Sequence, residues 1–205
     1  MWQFLLPYKG RLCGALFYEP IVAPKQITSM LYRNTRVALL ALLIVMPWVA
    51  IAGSPDVTLH GLDGKDHHLG EYIGKGQWVL LSIWGPGCPP CIEEMPELQH
   101  FHDAHRGKDA IVVGMALDYP SFGYANAVDV KEFVDRHAIS FPILLGDAAI
   151  VEKFGGGPLQ ATPTLLAFRP DGTLVGFQVG QMTGELIEKF IRDYEASHGA
   201  FKGSE

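Results

Sequence analysis

Two cysteines three positions apart, Cys88 and Cys91, close the stretch Trp84-Gly85-Pro86-Gly87-Cys88-Pro89-Pro90-Cys91. The third cysteine, Cys13, lies far from them in the chain. A CxxC pair suits thiol–disulfide exchange, a closed local disulfide, or half of a zinc site. A zinc site needs a second CxxC or a suitably spaced Cys/His pair, and the sequence has none. Exchange is therefore the favoured chemistry. One sulfur attacks a disulfide, and the other, one helical turn on, releases the mixed disulfide.

That chemistry needs a lowered thiol pKa. The run Gln77 to Trp84 is almost continuously apolar and suits a buried central strand. Gly85-Pro86-Gly87 breaks it, and a helix is predicted from about Pro89 to His105. Cys88 would then sit at a helix N-terminus, where unpaired N–H groups stabilise a thiolate. Cys88 is thus the predicted attacking thiol, the more exposed of the two. Pro89 and Pro90 fit the first turn, where a missing N–H costs nothing.

Further elements follow by pattern. A hairpin is predicted at Val57–Gly64, and a second buried strand at Ala110–Leu117. Residues 118–126 form an aromatic-rich loop, either a binding rim or an ordinary connection. A helix at Asp129–His137, a strand at Phe141–Leu145 and a short helix at Ala148–Phe154 come next. Strands at Pro163–Phe168 and Thr173–Val179 flank the turn Arg169-Pro170-Asp171-Gly172. A last helix, Thr183 to about Ser197, puts Leu186, Phe190 and Ile191 on one face. The fold class is α/β: a mixed central sheet flanked by helices, with an N-terminal hairpin and a central helix–strand insertion.

The bulk numbers agree with a folded body and narrow its partners. A hydrophobic share of 48% against 19% charged supplies a core. Residues 53–205 carry 11 basic and 21 acidic side chains, which excludes a nucleic-acid backbone as the natural partner. The N-terminus differs. Arg33 and Arg36 precede Val37–Ala52, an uncharged run of 16 residues ending Ala50-Ile51-Ala52. Basic flank, apolar run and small-residue exit read as a secretory signal, with an uncleaved membrane anchor as the alternative. Met30 heads a normal signal n-region and is the expected true start, which would leave Cys13 out of the protein. The chain divides into an N-terminal extension and signal, 1–52, and an exported domain, 53–205.

The strand, Trp84, C-P-P-C and Glu93-Glu94-Met95-Pro96-Glu97-Leu98 together resemble the TlpA/ResA/CcmG branch of the thioredoxin superfamily, over roughly Val57 to Ile191. The resemblance implies a thioredoxin-like fold and a periplasmic protein-disulfide reductase, as in cytochrome c maturation or a related assembly. It needs no cofactor and no metal. It implies protein disulfides and thiols as substrates, and an upstream donor such as a membrane thiol reductase. Pro96 matches a helix-kinking position, Gly180 a glycine near the substrate groove, and Thr162-Pro163 a cis-proline loop facing the cysteines. There Thr162 would offer its backbone to an extended substrate. Trp84, Pro89, Pro90, Thr162 and Pro163 are the substrate-binding candidates, and Cys88, Cys91 and Glu94 the catalytic ones. Glu94 would assist proton transfer; otherwise it is a carboxylate suited to a helix start.

Two positions depart from the pattern. Gly87 replaces the usual aromatic before the first cysteine, which puts substrate preference in question. Ser82 stands where thioredoxin keeps a buried carboxylate, and cannot act as that base. His100, His102 and His105 on the first helix, with His67 and His68 on the hairpin, read as solvated positions rather than metal ligands. A copper carrier on the same scaffold is the competing function, with Met95 the nearest extra soft ligand. A thiol peroxidase fits poorly, because that chemistry uses a lone activated cysteine.

Overall fold

The computed structural model describes residues 57–201. The apolar run Val37–Ala52, the cleavage position, Met30 and Cys13 lie outside the described residues. Among the described residues, no helix is long and apolar enough to cross a membrane.

Among the described residues, eight strands and four helices follow in chain order: β1 (Thr58–Gly61), β2 (Asp66–His68), β3 (Trp78–Trp84), α1 (Pro89–His105), β4 (Ala110–Asp118), β5 (Gly123–Tyr124), α2 (Ala127–Arg136), β6 (Ile143–Leu145), α3 (Ala148–Val151), β7 (Thr164–Phe168), β8 (Leu174–Val179) and α4 (Gly184–His198). Short 3₁₀ turns at Leu69–Glu71 and Glu152–Phe154 follow β2 and α3. The sheet order is β2-β1-β6-β4-β3-β7-β8, and β5 folds back onto the end of β4. Strands β3, β4 and β6 are parallel, whereas β7, β8 and β1 pair antiparallel. This is the mixed sheet expected, with one addition: the loop after β4 contains the two-residue strand β5.

Both central strands are apolar because both sheet faces are covered. Alternate side chains of β3 enter two cores. Trp78, Leu80 and Trp84 pack with α1, α2 and α4. Val79, Leu81 and Ile83 pack with Leu69, Ile73, Val151 and Phe154 on the opposite face. Parallel pairing of β3 with β4, Leu81 opposite Val113, brings the C-terminal ends of both strands to one edge. That edge is where open α/β sheets place their sites.

The last helix corrects one expectation. Leu186 is 48% exposed, and the buried stripe is Ile187, Phe190, Ile191 and Tyr194. Those four follow the spacing i, i+3, i+4, i+7 of one helical face, and Leu186 falls outside it.

Candidate active site

Helix α1 begins as its sequence dictates. Cys88 is the N-cap, with extended backbone, and Pro89 and Pro90 occupy the first turn. The Cys91 N–H donates to Cys88 Sγ at 3.3 Å. One otherwise orphaned helix donor thus points at the first sulfur. From the loop before β7, the strand beside β3, the Thr162 hydroxyl donates to the same sulfur at 3.4 Å. Among the described residues no hydrogen bond is directed at Cys91 Sγ. The two cysteines are joined as a disulfide, with Cα atoms 5.2 Å apart.

Greater exposure does not single out Cys88. Both cysteines are fully buried in this oxidised form. Their asymmetry lies in the donors around Cys88, because the chain passes from strand to helix at that residue. Pro89 and Pro90 are exposed beside the pair.

The Thr162–Pro163 peptide is cis. The Thr164 hydroxyl donates to Ala161 O at 2.7 Å, and Gly180 N donates to Pro163 O at 2.9 Å, which ties this loop to the turn after β8. Gly180 has φ +95°, a backbone conformation suited to glycine. Ladder pairing of β7 begins at Thr164. Among the described residues, neither the N–H nor the C=O of Thr162 has a backbone partner. Thr162 therefore meets the first cysteine through its side chain while its main chain stays unpaired.

Glu94, one turn beyond Cys91, is 2% exposed. Its Oε1 accepts the Met182 N–H at 2.8 Å, and its Oε2 has no partner. Burial pushes its carboxyl up to about 7, against a smaller lowering by the Met182 bond. A half-satisfied buried carboxyl of this kind can hold or release a proton near neutrality.

The segment that holds Glu94 was invisible in the sequence apart from Gly180. Gln181 Nε2 donates to Pro90 O and to Glu93 Oε2, each at 2.9 Å. Gly184 N donates to Glu97 Oε2 at 3.2 Å. Residues 181–184 are thus laced to the first turns of α1, and a main-chain N–H at Met182 carries no residue-type signal.

Trp84 corrects another expectation. It is fully buried, and its ring centroid lies 4.9 Å from that of Phe133. It supports the strand end from within and offers no surface to a substrate. Ser82 is likewise fully buried, and its hydroxyl has no partner. Met95 is fully buried in the same core cluster as both cysteines.

The histidines are not all solvated. His102 is 5% exposed and accepts the Val112 N–H through Nδ1 at 3.2 Å. Strand β6 meets β4 only from Gly114 onward, so Val112 needs another acceptor. Burial lowers the His102 pKa, and the neutral ring with Nδ1 unprotonated is the form that fits. His67 sits between two carboxylates, Nε2 at 3.0 Å from Asp63 and Nδ1 at 3.1 Å from Glu71. Both ring nitrogens are engaged, and both hydrogen bonds raise its pKa.

Known proteins resemble this chain in sequence and in fold. Residues 53–176 match the AhpC/TSA family. The thiol-disulfide oxidoreductase ResA of Halalkalibacterium halodurans is 31% identical over 134 residues, 65% of this chain and 70% of that protein. The ResA of Geobacillus thermodenitrificans is 29% identical over 139 residues, 67% and 74% of the two chains. Among solved structures, StoA from Bacillus subtilis aligns with a TM-score of 0.52 at 24% identity, covering 66% of this chain and 95% of StoA. A DsbF homologue from Corynebacterium diphtheriae aligns with a TM-score of 0.59 at 24% identity, over 69% and 86%. The two structures support the fold, and the sequence relatives carry the activity class. With its CxxC pair at the start of α1, the chain belongs to the AhpC/TSA family and is a thioredoxin-fold thiol-disulfide oxidoreductase similar to ResA.

Proposed function

We propose that this protein is an extracytoplasmic reductase of protein disulfides, working in cytochrome c maturation or a related assembly. The observation that carries the assignment of roles is the pair of donors, Cys91 N–H and Thr162 hydroxyl, aimed at Cys88 Sγ. Hydrogen bonds to a charged sulfur favour the thiolate, so Cys88 is the attacking group. The Cys88 thiolate attacks one sulfur of the substrate disulfide and expels the other as a thiolate. Cys91, giving its proton to the Glu94 carboxylate, then attacks Cys88 Sγ and expels the second substrate sulfur. The protein ends as the Cys88–Cys91 disulfide, and two electrons have passed to the substrate. A membrane thiol reductase is the proposed upstream donor that restores the dithiol.

The unpaired main chain of Thr162 supports docking of an extended substrate beside Pro163, with Pro89 and Pro90 on the opposite rim. Export to the periplasm rests on Arg33, Arg36 and the run Val37–Ala52. Cleavage after Ala52 would leave the domain 53–205 free. Retention of the run would tether it to the membrane.

Trapping tests the roles. Cys91→Ser should accumulate a mixed disulfide with a protein substrate, and Cys88→Ser should not. Accumulation in Cys88→Ser alone would reverse the assignment.

A further inference from the structure

Among the described residues the exposed large hydrophobic side chains are Tyr119, Tyr124, Val128 and Leu186. Three of the four fall between positions 119 and 128, and of these Tyr119 lies against the active-site turn. Strand β4 runs parallel to β3, so its C-terminal end emerges at the same edge as Cys88. There β5 folds back, pairing Leu117 with Tyr124 and Asp118 with Gly123. The result is a short hairpin whose tip is residues 119–122.

The active-site turn rests on that hairpin. A Cβ on Gly85 would fall 2.7 Å from Leu117 O and 2.9 Å from Tyr119 Cβ. A Cβ on Gly87, the residue before Cys88, would fall 3.5 Å from Tyr119 O. Two residues without side chains thus bring the turn against the backbone of residues 117–119. On this side of Cys88 the turn offers no side chain at Gly85 or Gly87, and the adjoining exposed one is Tyr119, 37% accessible.

The hairpin also holds its shape. Ser121 Oγ donates to Asp118 Oδ2 at 2.5 Å and accepts the Gly123 N–H at 3.3 Å. Phe122 packs into the second core, and its carbonyl accepts the Ala148 N–H at 3.0 Å. The Tyr119 ring meets the Phe122 ring edge to face, with centroids 6.2 Å apart. Tyr119 and Tyr124 are therefore outward-facing aromatics on a braced support. Rigid aromatic side chains of this kind make effective recognition groups, because little side-chain entropy is lost on contact.

We propose that Tyr119 is a specificity-determining residue: it receives a bulky apolar or aromatic side chain flanking the cysteine of an extended protein disulfide as that disulfide approaches Cys88. This rests on the reductase reading above and names the substrate feature the site selects. Tyr119 takes no part in the electron transfer itself.

The test is single-turnover oxidation of the reduced protein by two synthetic peptide disulfides, identical except for tryptophan or glycine next to one cysteine. Hydroxyethyl disulfide, which has no flanking side chain, serves as the control. The wild type should react with the tryptophan peptide about three- to tenfold faster than with the glycine peptide, the range an aromatic pair supplies. Tyr119→Ala should abolish that preference and leave the rate with hydroxyethyl disulfide unchanged. Tyr119→Phe should keep it. Equal slowing of all three substrates in Tyr119→Ala would make the residue a support of the turn and overturn the proposal. An unaltered preference would overturn it too. A wild type that exchanges with none of the three disulfides would remove the reductase reading itself, and this inference with it.

Discussion

Helix α1 buries an ionisable side chain near each end, and the two are treated in opposite ways. At the cysteine end Glu94 has one oxygen bonded to Met182 N–H and the other left without a partner. Toward the far end His102 is bonded to Val112 N–H, an acceptor for a strand donor that nothing else reaches. Burial penalises the charged form in both cases, raising the Glu94 carboxyl to about 7 and lowering the His102 imidazole. Each accepts a main-chain N–H, but the second oxygen of Glu94 is left buried without a partner. His102 completes the hydrogen bonding of β4, so its neutral state is part of the fold. Glu94 is held in place but kept half-satisfied, one helical turn beyond Cys91.

Substitutions can break this contrast. The largest effect should come from Cys88→Ser, which should reduce disulfide exchange to background, while His102→Leu leaves the exchange rate of the folded protein near wild type. Rates with a model disulfide measure both. A comparable loss of exchange in His102→Leu would bring the far end of α1 into the chemistry and end the contrast.

Stability should separate the two groups by sign. The folded pKa of Glu94 lies near 7 against an ordinary 4.5, so the native state binds its proton more tightly than the unfolded chain. Stability should therefore fall as pH rises from about 4.5 to about 7, and level off above that. Glu94→Gln removes this loss. It should be the more stable protein at pH 8 by up to about 3 kcal/mol, with little difference at pH 4. Denaturant unfolding at the two pH values measures it. The His102 pKa is lowered from 6.5, so its contribution is present above that pH and is lost as pH falls below it. His102→Leu should cost about 1–3 kcal/mol at pH 8, because Val112 N–H is left unpaired, and the cost should shrink in acid.

The smallest effect sharpens the cysteine end. Thr162→Val keeps the shape and deletes the hydroxyl bonded to Cys88 Sγ. The Cys88 thiol pKa should rise by about half a unit to one unit, the net worth of one ordinary hydrogen bond. Alkylation rates of the reduced variant across pH report it, and an unchanged profile would remove Thr162 from the set of thiolate stabilisers.

The parts of this site that could be read from the sequence are those that depend on neighbours in the chain. Helix α1 runs from Pro89 to His105 as its N-terminal prolines and apolar spacing indicate. Strands β3 and β4 follow their continuous apolar runs. The parts that could not be read depend on partners distant in sequence. Met182 reaches Glu94 from 88 residues away, through a main-chain group that every residue but proline carries. His102 is a polar letter on a helix full of polar letters, yet it falls on the buried stripe Cys91, Met95, Leu98 and His102 of α1, and its partner Val112 N–H comes from β4. Trp84 is legible as a landmark but its contact is not, because an aromatic beside a catalytic pair suits either a core or a rim. Its pairing with Phe133 settles it as core. Leu186 failed by phase: one residue of offset decides which face of α4 is buried, and Tyr194 completes the stripe that includes Ile187.

The central claim is that the half-satisfied carboxyl of Glu94 exchanges protons with the cysteine pair. Thiol titration of the reduced protein and of Glu94→Gln tests it directly. A carboxylate near the sulfurs opposes a thiolate, so its removal should lower the Cys88 pKa and simplify the pH profile to a single step. In the wild type the profile should carry a second inflection near pH 7, from Glu94. Superimposable titration curves for the two proteins would contradict the account and leave Glu94 as a buried carboxyl that only anchors Met182.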